Sequence, residues 1–170
     1  ELARLLTEAA ERVRGLQPLE ITRAALCTRV ERFGVFDEVP MYGGVHKMIA
    51  GRPQRVLLYI ELDNFSHRPD TQGDAEGWTV DLTVGLTLHH LGRQTDLLAW
   101  RMADETVRVF SRNQRREFFL SIVADLPASI SVDSYALKAQ VRDANSGATA
   151  ERVIRIDMVA DASALVTAAD

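Results

Sequence analysis

Arg116-Glu117-Phe118-Phe119-Leu120-Ser121-Ile122-Val123-Ala124-Asp125 is an extended run that ends in a corner, Leu126-Pro127-Ala128-Ser129-Ile130-Ser131-Val132-Asp133-Ser134. Tyr135-Ala136-Leu137-Lys138-Ala139-Gln140-Val141-Arg142 then alternates apolar and polar residues with a period of two. Asp143-Ala144-Asn145-Ser146-Gly147 turns the chain, and Glu151-Arg152-Val153-Ile154-Arg155-Ile156-Asp157-Met158 alternates again. Successive side chains of a strand point to opposite faces, so each alternating run buries one face and wets the other. Three consecutive strands of an antiparallel sandwich follow from this stretch.

The same period continues upstream. Thr79-Val80-Asp81-Leu82-Thr83-Val84-Gly85-Leu86-Thr87-Leu88 is a clean strand with its valines and leucines inward and Thr and Asp outward. Val56-Leu57-Leu58-Tyr59-Ile60-Glu61-Leu62 is the most apolar run, and Leu57 with Tyr59 makes its second face apolar too, so that face needs a cover, for which a helix at the N-terminus is the nearest candidate. The run from Thr95 to Met102 puts Leu98, Trp100 and Met102 on one face, which predicts a buried Trp100. Thr106 to Phe110 reads as a further short strand, and Ala24 to Val30 as another, with a bulge or bend at Gly34. Val45 to Ile49 reads as a short edge strand between Pro40, Gly43 and Gly44 on one side and Gly51-Arg52-Pro53 on the other. The total is eight or nine strands with turn signals between them, which is the signature of an all-β sandwich.

Residues 1–17 break the pattern. Leu2, Leu5, Leu6, Ala9, Val13 and Leu16 recur at steps of three and four, the apolar stripe of an amphipathic helix that Gly15 and Pro18 bring to an end. A lone helix of this length is marginal in water, so its stripe lies on the sandwich or on a partner. The expected organisation is an N-terminal helix over 1–17 as an appendage, a β-sandwich over 19–160 and a tail over 161–170.

The totals exclude more than they assign. A chain of 170 residues buries roughly 70 % of its unfolded surface, enough for a core without staples. A net charge of −4 argues against a nucleic-acid binder, which needs a concentrated positive field. No run of about 18 apolar residues spans a bilayer. Cys27 is the single cysteine, so no intrachain disulfide forms. The first residue is Glu1 rather than Met, which suggests trimming and leaves the compartment open.

The corner from Leu126-Pro127 to Leu137 resembles the turn between strands E and F of immunoglobulin-like domains, where a tyrosine bonds back across the corner. The resemblance puts Tyr135 in that role and points Leu137 into the core. The chain beyond the helix is also similar to an uncharacterised bacterial (planctomycete-type) protein family. The matching stretches are Leu26-Cys27-Thr28-Arg29-Val30 with Phe33-Gly34, Val56 through Phe65, Arg115-Arg116-Glu117-Phe118-Phe119, and the final Tyr135-to-Met158 hairpin. That resemblance implies a mainly β, immunoglobulin-like antiparallel β-sandwich on envelope-associated proteins, with no catalytic residue to carry over. It tilts the expected compartment towards the extracytoplasmic side.

Candidate chemistry is sparse. Asp143-Ala144-Asn145-Ser146-Gly147 alternates oxygen ligands, but lacks the bidentate Glu that closes a calcium loop, and such residues stabilise turns by themselves. His89 and His90 are adjacent and point to opposite faces of a strand, so they do not share a metal. Cys27 would be a nucleophile only beside an activating His, and its strand setting favours a packed thiol. Arg112, Arg115 and Arg116 with Phe110, Phe118 and Phe119 read as strand-entry charges that discourage sheet-to-sheet association. The polar loop from Asn64 to Gly77 is the best place for a contact, because sandwich modules bind through end loops on a rigid scaffold. Its candidate partner-contact residues are Asp63, Asn64, His67, Asp70, Asp74, Glu76 and Trp78, the last at least partly exposed. The expected function is a non-catalytic structural or protein-interaction module, with a protein partner or self-association, no cofactor and no metal. The alternative is a ligand- or carbohydrate-binding domain or an enzyme built on the 64–77 loop.

Overall fold

The computed structural model describes Leu2, Arg4, residues 17–92 and residues 97–165. They form twelve strands: β1 Glu20–Arg32, β2 Val35–Glu38, β3 Met41–Tyr42, β4 Val45–Ile49, β5 Gln54–Asp63, β6 Arg68–Gln72, β7 Ala75–His90, β8 Leu98–Arg101, β9 Glu105–Ser111, β10 Phe118–Leu126, β11 Asp133–Asp143 and β12 Thr149–Val159. A short 3-10 turn at Ala162–Leu165 follows. One sheet runs β10-β5-β1-β2, and the second runs β3-β4-β12-β11-β7-β6, with β8 and β9 also paired to β7. Every pairing is antiparallel except that of β4 with β12, which is parallel from Ile156↔His46 to Val159↔Ile49. That pair corrects the expectation of a purely antiparallel fold.

The alternation explains why two sheets form. Val80, Leu82, Val84, Leu86 and Leu88 of β7 are buried together with Leu58, Ile60 and Leu62 of β5 and Leu120 and Ile122 of β10. Leu137, Ala139 and Val141 of β11 and Ile154 and Ile156 of β12 join the same cluster, so the inner faces of both sheets share one hydrocarbon core. Burying a Leu or Ile side chain contributes roughly 1.5–3 kcal/mol, so this cluster is the main stabilising feature of the fold. At the corner, the Tyr135 hydroxyl donates to the Ser131 carbonyl at 3.1 Å and the ring is fully buried, while Leu137 points into the core as expected.

The outer face of the smaller sheet carries the second apolar side of β5. Tyr59 is fully buried there, stacked on Phe36 with centroids 4.2 Å apart and tilted against Phe119 at 5.6 Å. Its hydroxyl accepts from the Gly34 amide at 2.8 Å and donates to Glu61 at 2.7 Å. The β1–β2 hairpin tip therefore supplies a cover, with Gly34 at φ 70 making the turn that the sequence marked as a bulge or bend. The N-terminal helix expected over 1–17 lies outside the described residues, apart from Leu2, Arg4 and Gln17.

Two further expectations change. Trp100 is half-buried, packed against the core beside Met102, whereas Leu98 is 55 % exposed. The register of β7 with β8 shifts between Leu88 and His89, and this slip takes Leu98 off the face that Trp100 occupies. Residues 64–77 are no open loop: β6 pairs with the start of β7 from Arg68↔Thr79 to Gln72↔Ala75, leaving only Gly73 and Asp74 as a hairpin turn.

Candidate functional site

The expected contact residues leave the end of β5 in sequence but separate in space. Asp63 is exposed at the end of β5. Asn64 turns the chain at φ 59, a left-handed conformation that Asn tolerates, and its side-chain amide donates to the Pro18 carbonyl at 3.1 Å. Phe65 packs into the core against Phe118. The Ser66 amide and hydroxyl donate to the Asp143 carboxylate at 2.6 and 2.8 Å. His67 accepts from the Arg115 amide at 3.1 Å, and burial lowers the pKa of its ring from the ordinary value.

Further along, the Asp70 carboxylate accepts from the Thr79 hydroxyl at 2.6 Å and the Thr71 amide at 2.9 Å, and these bonds hold its pKa below the usual carboxylate range. Asp74 and Glu76 are exposed at the hairpin end, and Trp78 is half-buried across from Pro69, edge-on to His67 at 6.5 Å. Asn64, His67 and Asp70 thus make bonds that position the β5–β6–β7 connection, while Asp63, Asp74 and Glu76 face water at separate places. Sequence reasoning missed the centre of this arrangement, Asp143. Its side chain is fully buried and also accepts from the amides of Asn145 and Ser146 at 2.9 and 3.2 Å. The turn chemistry of Asp143 was legible; its bond to Ser66, 77 residues away, was not.

Two concavities lie elsewhere. One, of about 590 Å3, is on the outer face of the larger sheet, where Thr83, Gly85 and Thr87 of β7 sit beside Lys138, Gln140 and Arg142 of β11. Arg101, Asp104, His89 and Glu151 rim it, with Arg101 paired to Asp104 at 3.2 Å and Lys138 to Glu151 at 3.8 Å. These residues are the polar half of the alternation that specified the core, and that half was the available signal for them. The other, a groove of about 380 Å3, runs between β9 and β10, with Val107 and Val109 on one side and Phe118, Leu120 and Ile122 on the other. Arg115, from the basic run before β10, stands at its rim, and Phe118 is buried while Phe119 is only half so.

His89 and His90 point apart as expected: His89 faces Thr87 at 3.1 Å on the outer face, and His90 meets Asp133 at 2.9 Å beside Tyr135. Among the described residues no group of three or more His, Cys, Asp or Glu side chains is placed to hold a metal ion. Among them, too, no helix is long and apolar enough to cross a membrane.

Cys27 packs with Ala25 and Tyr59, and burial pushes its thiol from 9.0 up to about 11. Two units of pKa leave about 100-fold less thiolate at neutral pH, and the thiolate is the reactive form. Native protein treated with a disulfide-exchange reagent at pH 7.5 is expected to label at least about 100-fold more slowly than the same chain in denaturing urea. Equal rates would mean that Cys27 is open and activated.

His46 on β4 is a further buried polar group that the sequence reading passed over. It is 1 % exposed, opposite Met41 on β3 and Ile156 on β12, and its Nδ1 has no hydrogen-bond partner among the described residues. Burial lowers its pKa from 6.5, so the unfolded chain takes up a proton before the folded one does. Stability from this group is therefore complete above pH 6.5 and lost as pH falls below it. The urea midpoint is expected to drop between pH 7.5 and 5.5. The drop should shrink but persist in His46→Leu, because His67 is shifted in the same direction. An unchanged slope in that variant would remove His46 as a cause.

A comparison of the chain with protein-family models and with curated proteins finds no match.

Proposed function

We propose that the chain is an immunoglobulin-like, non-catalytic β-sandwich module that works through protein–protein contact, as part of a longer envelope-associated protein of the planctomycete type it resembles. The immunoglobulin-like assignment draws on the order β10-β5-β1 in one sheet and β4-β12-β11-β7-β9 in the other, with β4 parallel to β12. It draws equally on the Tyr135 hydroxyl bonded back to Ser131 at the corner.

The observation that carries the functional reading is where the polar groups after β5 are used. Asn64, Ser66, His67 and Asp70 each hydrogen-bond to the scaffold, so this end of the sandwich is a rigid platform rather than a set of groups converging on a reacting atom. A second reading, a domain that binds a small polar ligand, rests on the concavity around Gly85, Lys138 and Gln140 rather than on residues 64–77.

Photoreactive amino acids placed singly at Asp74, Val123 and Gln140, in the full-length protein in its native cell, test the proposal. A covalent product with another protein chain is expected from at least one of the three. No product at any of them would overturn it, as would substrate turnover by the purified protein that Lys138→Ala abolishes.

A further inference from the structure

We infer that the groove between β9 and β10 takes an extended peptide segment, added as a strand to the edge of β10 that no described strand pairs with, with apolar side chains at alternate positions. This rests on the protein-interaction reading above and names the surface and the chemistry of its partner. β10 pairs with β5 along its whole length, Phe118↔Leu62 to Leu126↔Gln54, with no shift in register. Among the described residues nothing pairs with its other edge, and β9 is likewise paired only with β7. Each strand therefore presents a row of backbone N–H and C=O groups that only another extended chain matches in spacing.

Sheet edges are ordinarily protected by charge, proline or a bulge. β10 has none of these from Phe118 to Ala124: the run is uncharged and its register regular, and the first charge, Asp125, is engaged by Arg55 at 2.8 Å. The groove beside this edge fixes the side-chain chemistry. Phe118 to Ile122 span about 13 Å at about 3.3 Å per residue, room for two or three inward side chains of an added strand. Those side chains would meet Val107 and Val109 across the groove, so they must be apolar. Glu105 and Glu117 line the groove against one basic side chain, Arg115, so its net acidic rim favours a basic residue at one end of the segment. A second copy of this chain would match the edge but not the groove, because the inward residues of its own β10 are already buried in its own core.

Panning the folded protein against a random dodecapeptide library displayed on phage tests this. Enriched sequences are expected to carry apolar residues at every second position. Val109→Lys, checked for native circular dichroism, is expected to weaken the best peptide at least 20-fold. The same peptide N-methylated on alternate residues should lose binding at least 20-fold in one register and keep it in the other, a result that does not depend on any change to the protein. No enrichment, helical spacing in the selected peptides, or indifference to both the variant and N-methylation would overturn the inference. Peptides that bind but ignore Val109→Lys would move the partner to another surface and leave the interaction reading standing. A sedimentation dimer that Ser121→Arg dissolves would give the edge to a second copy, and would likewise overturn this inference alone.

Discussion

Asp143→Ala is expected to lower the stability of the protein by about 3 kcal/mol. The carboxylate is fully buried and accepts four hydrogen bonds, from the Ser66 amide and hydroxyl and from the amides of Asn145 and Ser146. Truncation to alanine leaves all four donors without an acceptor, and a buried orphan costs about 1–3 kcal/mol where water cannot reach it. Ser146 is exposed and regains water, so the loss concentrates at the half-buried donors of Ser66 and Asn145. At about 2–4 °C per kcal/mol for a chain of this size, the melting temperature falls by roughly 6–12 °C. Ser66→Ala, which removes one donor and orphans nothing, costs only about 1 kcal/mol. In a double-mutant cycle the two substitutions are expected to be strongly non-additive, since each removes the same bond. Urea unfolding measures all three, and an Asp143→Ala loss under 1 kcal/mol would mean that the connection is held by something else.

That bond also marks the limit of what was legible beforehand. The alternating strands announced themselves: β11 and β12 follow the alternation of Leu137 to Val141 and Ile154 to Met158, and β7 that of Val80 to Leu88. The exceptions are Thr79 and Asp81, expected on the wet face but buried, Asp81 under the Arg108 guanidinium at 2.8 Å. Tyr135 was legible because a corner tyrosine has a local partner, Ser131, four residues away. Long-range polar ties carry no such signature. Nothing near Ser66 in the sequence says that it completes the shell of Asp143, and nothing near Gly34 says that its amide reaches Tyr59. Residues 64–77 misled for a related reason. Their acids and glycines have turn composition, yet Arg68 to Gln72 pair with β7 because a strand needs only backbone groups and a neighbour in register. The edge of β10 is the reverse case: its lack of charge is plain in the sequence, but that it is an edge follows only from the strand order.

The other large effect belongs to a glycine whose freedom of backbone angle is irrelevant. Gly77→Ala is expected to cost about 2–3 kcal/mol, because a methyl group there has no room. A Cβ on Gly77 would lie 2.5 Å from the Ser111 carbonyl oxygen and 2.6 Å from the Phe110 ring. The ring can turn aside, but the carbonyl cannot: Ser111 is paired with Trp78, the next residue on β7, so moving it opens the β7–β9 ladder at its end. Gly73, at the turn of the same hairpin, provides the contrast. It has open space around it and a φ of 60, so Gly73→Ala meets only the left-handed backbone penalty of about 1 kcal/mol. Phe110→Ala in the Gly77→Ala background should recover only the part of the loss due to the ring, because the carbonyl stays where it is. The ranking decides the matter: if Gly73→Ala proves as costly as Gly77→Ala in urea unfolding, β9 does not lie against β7 as closely as the distances require.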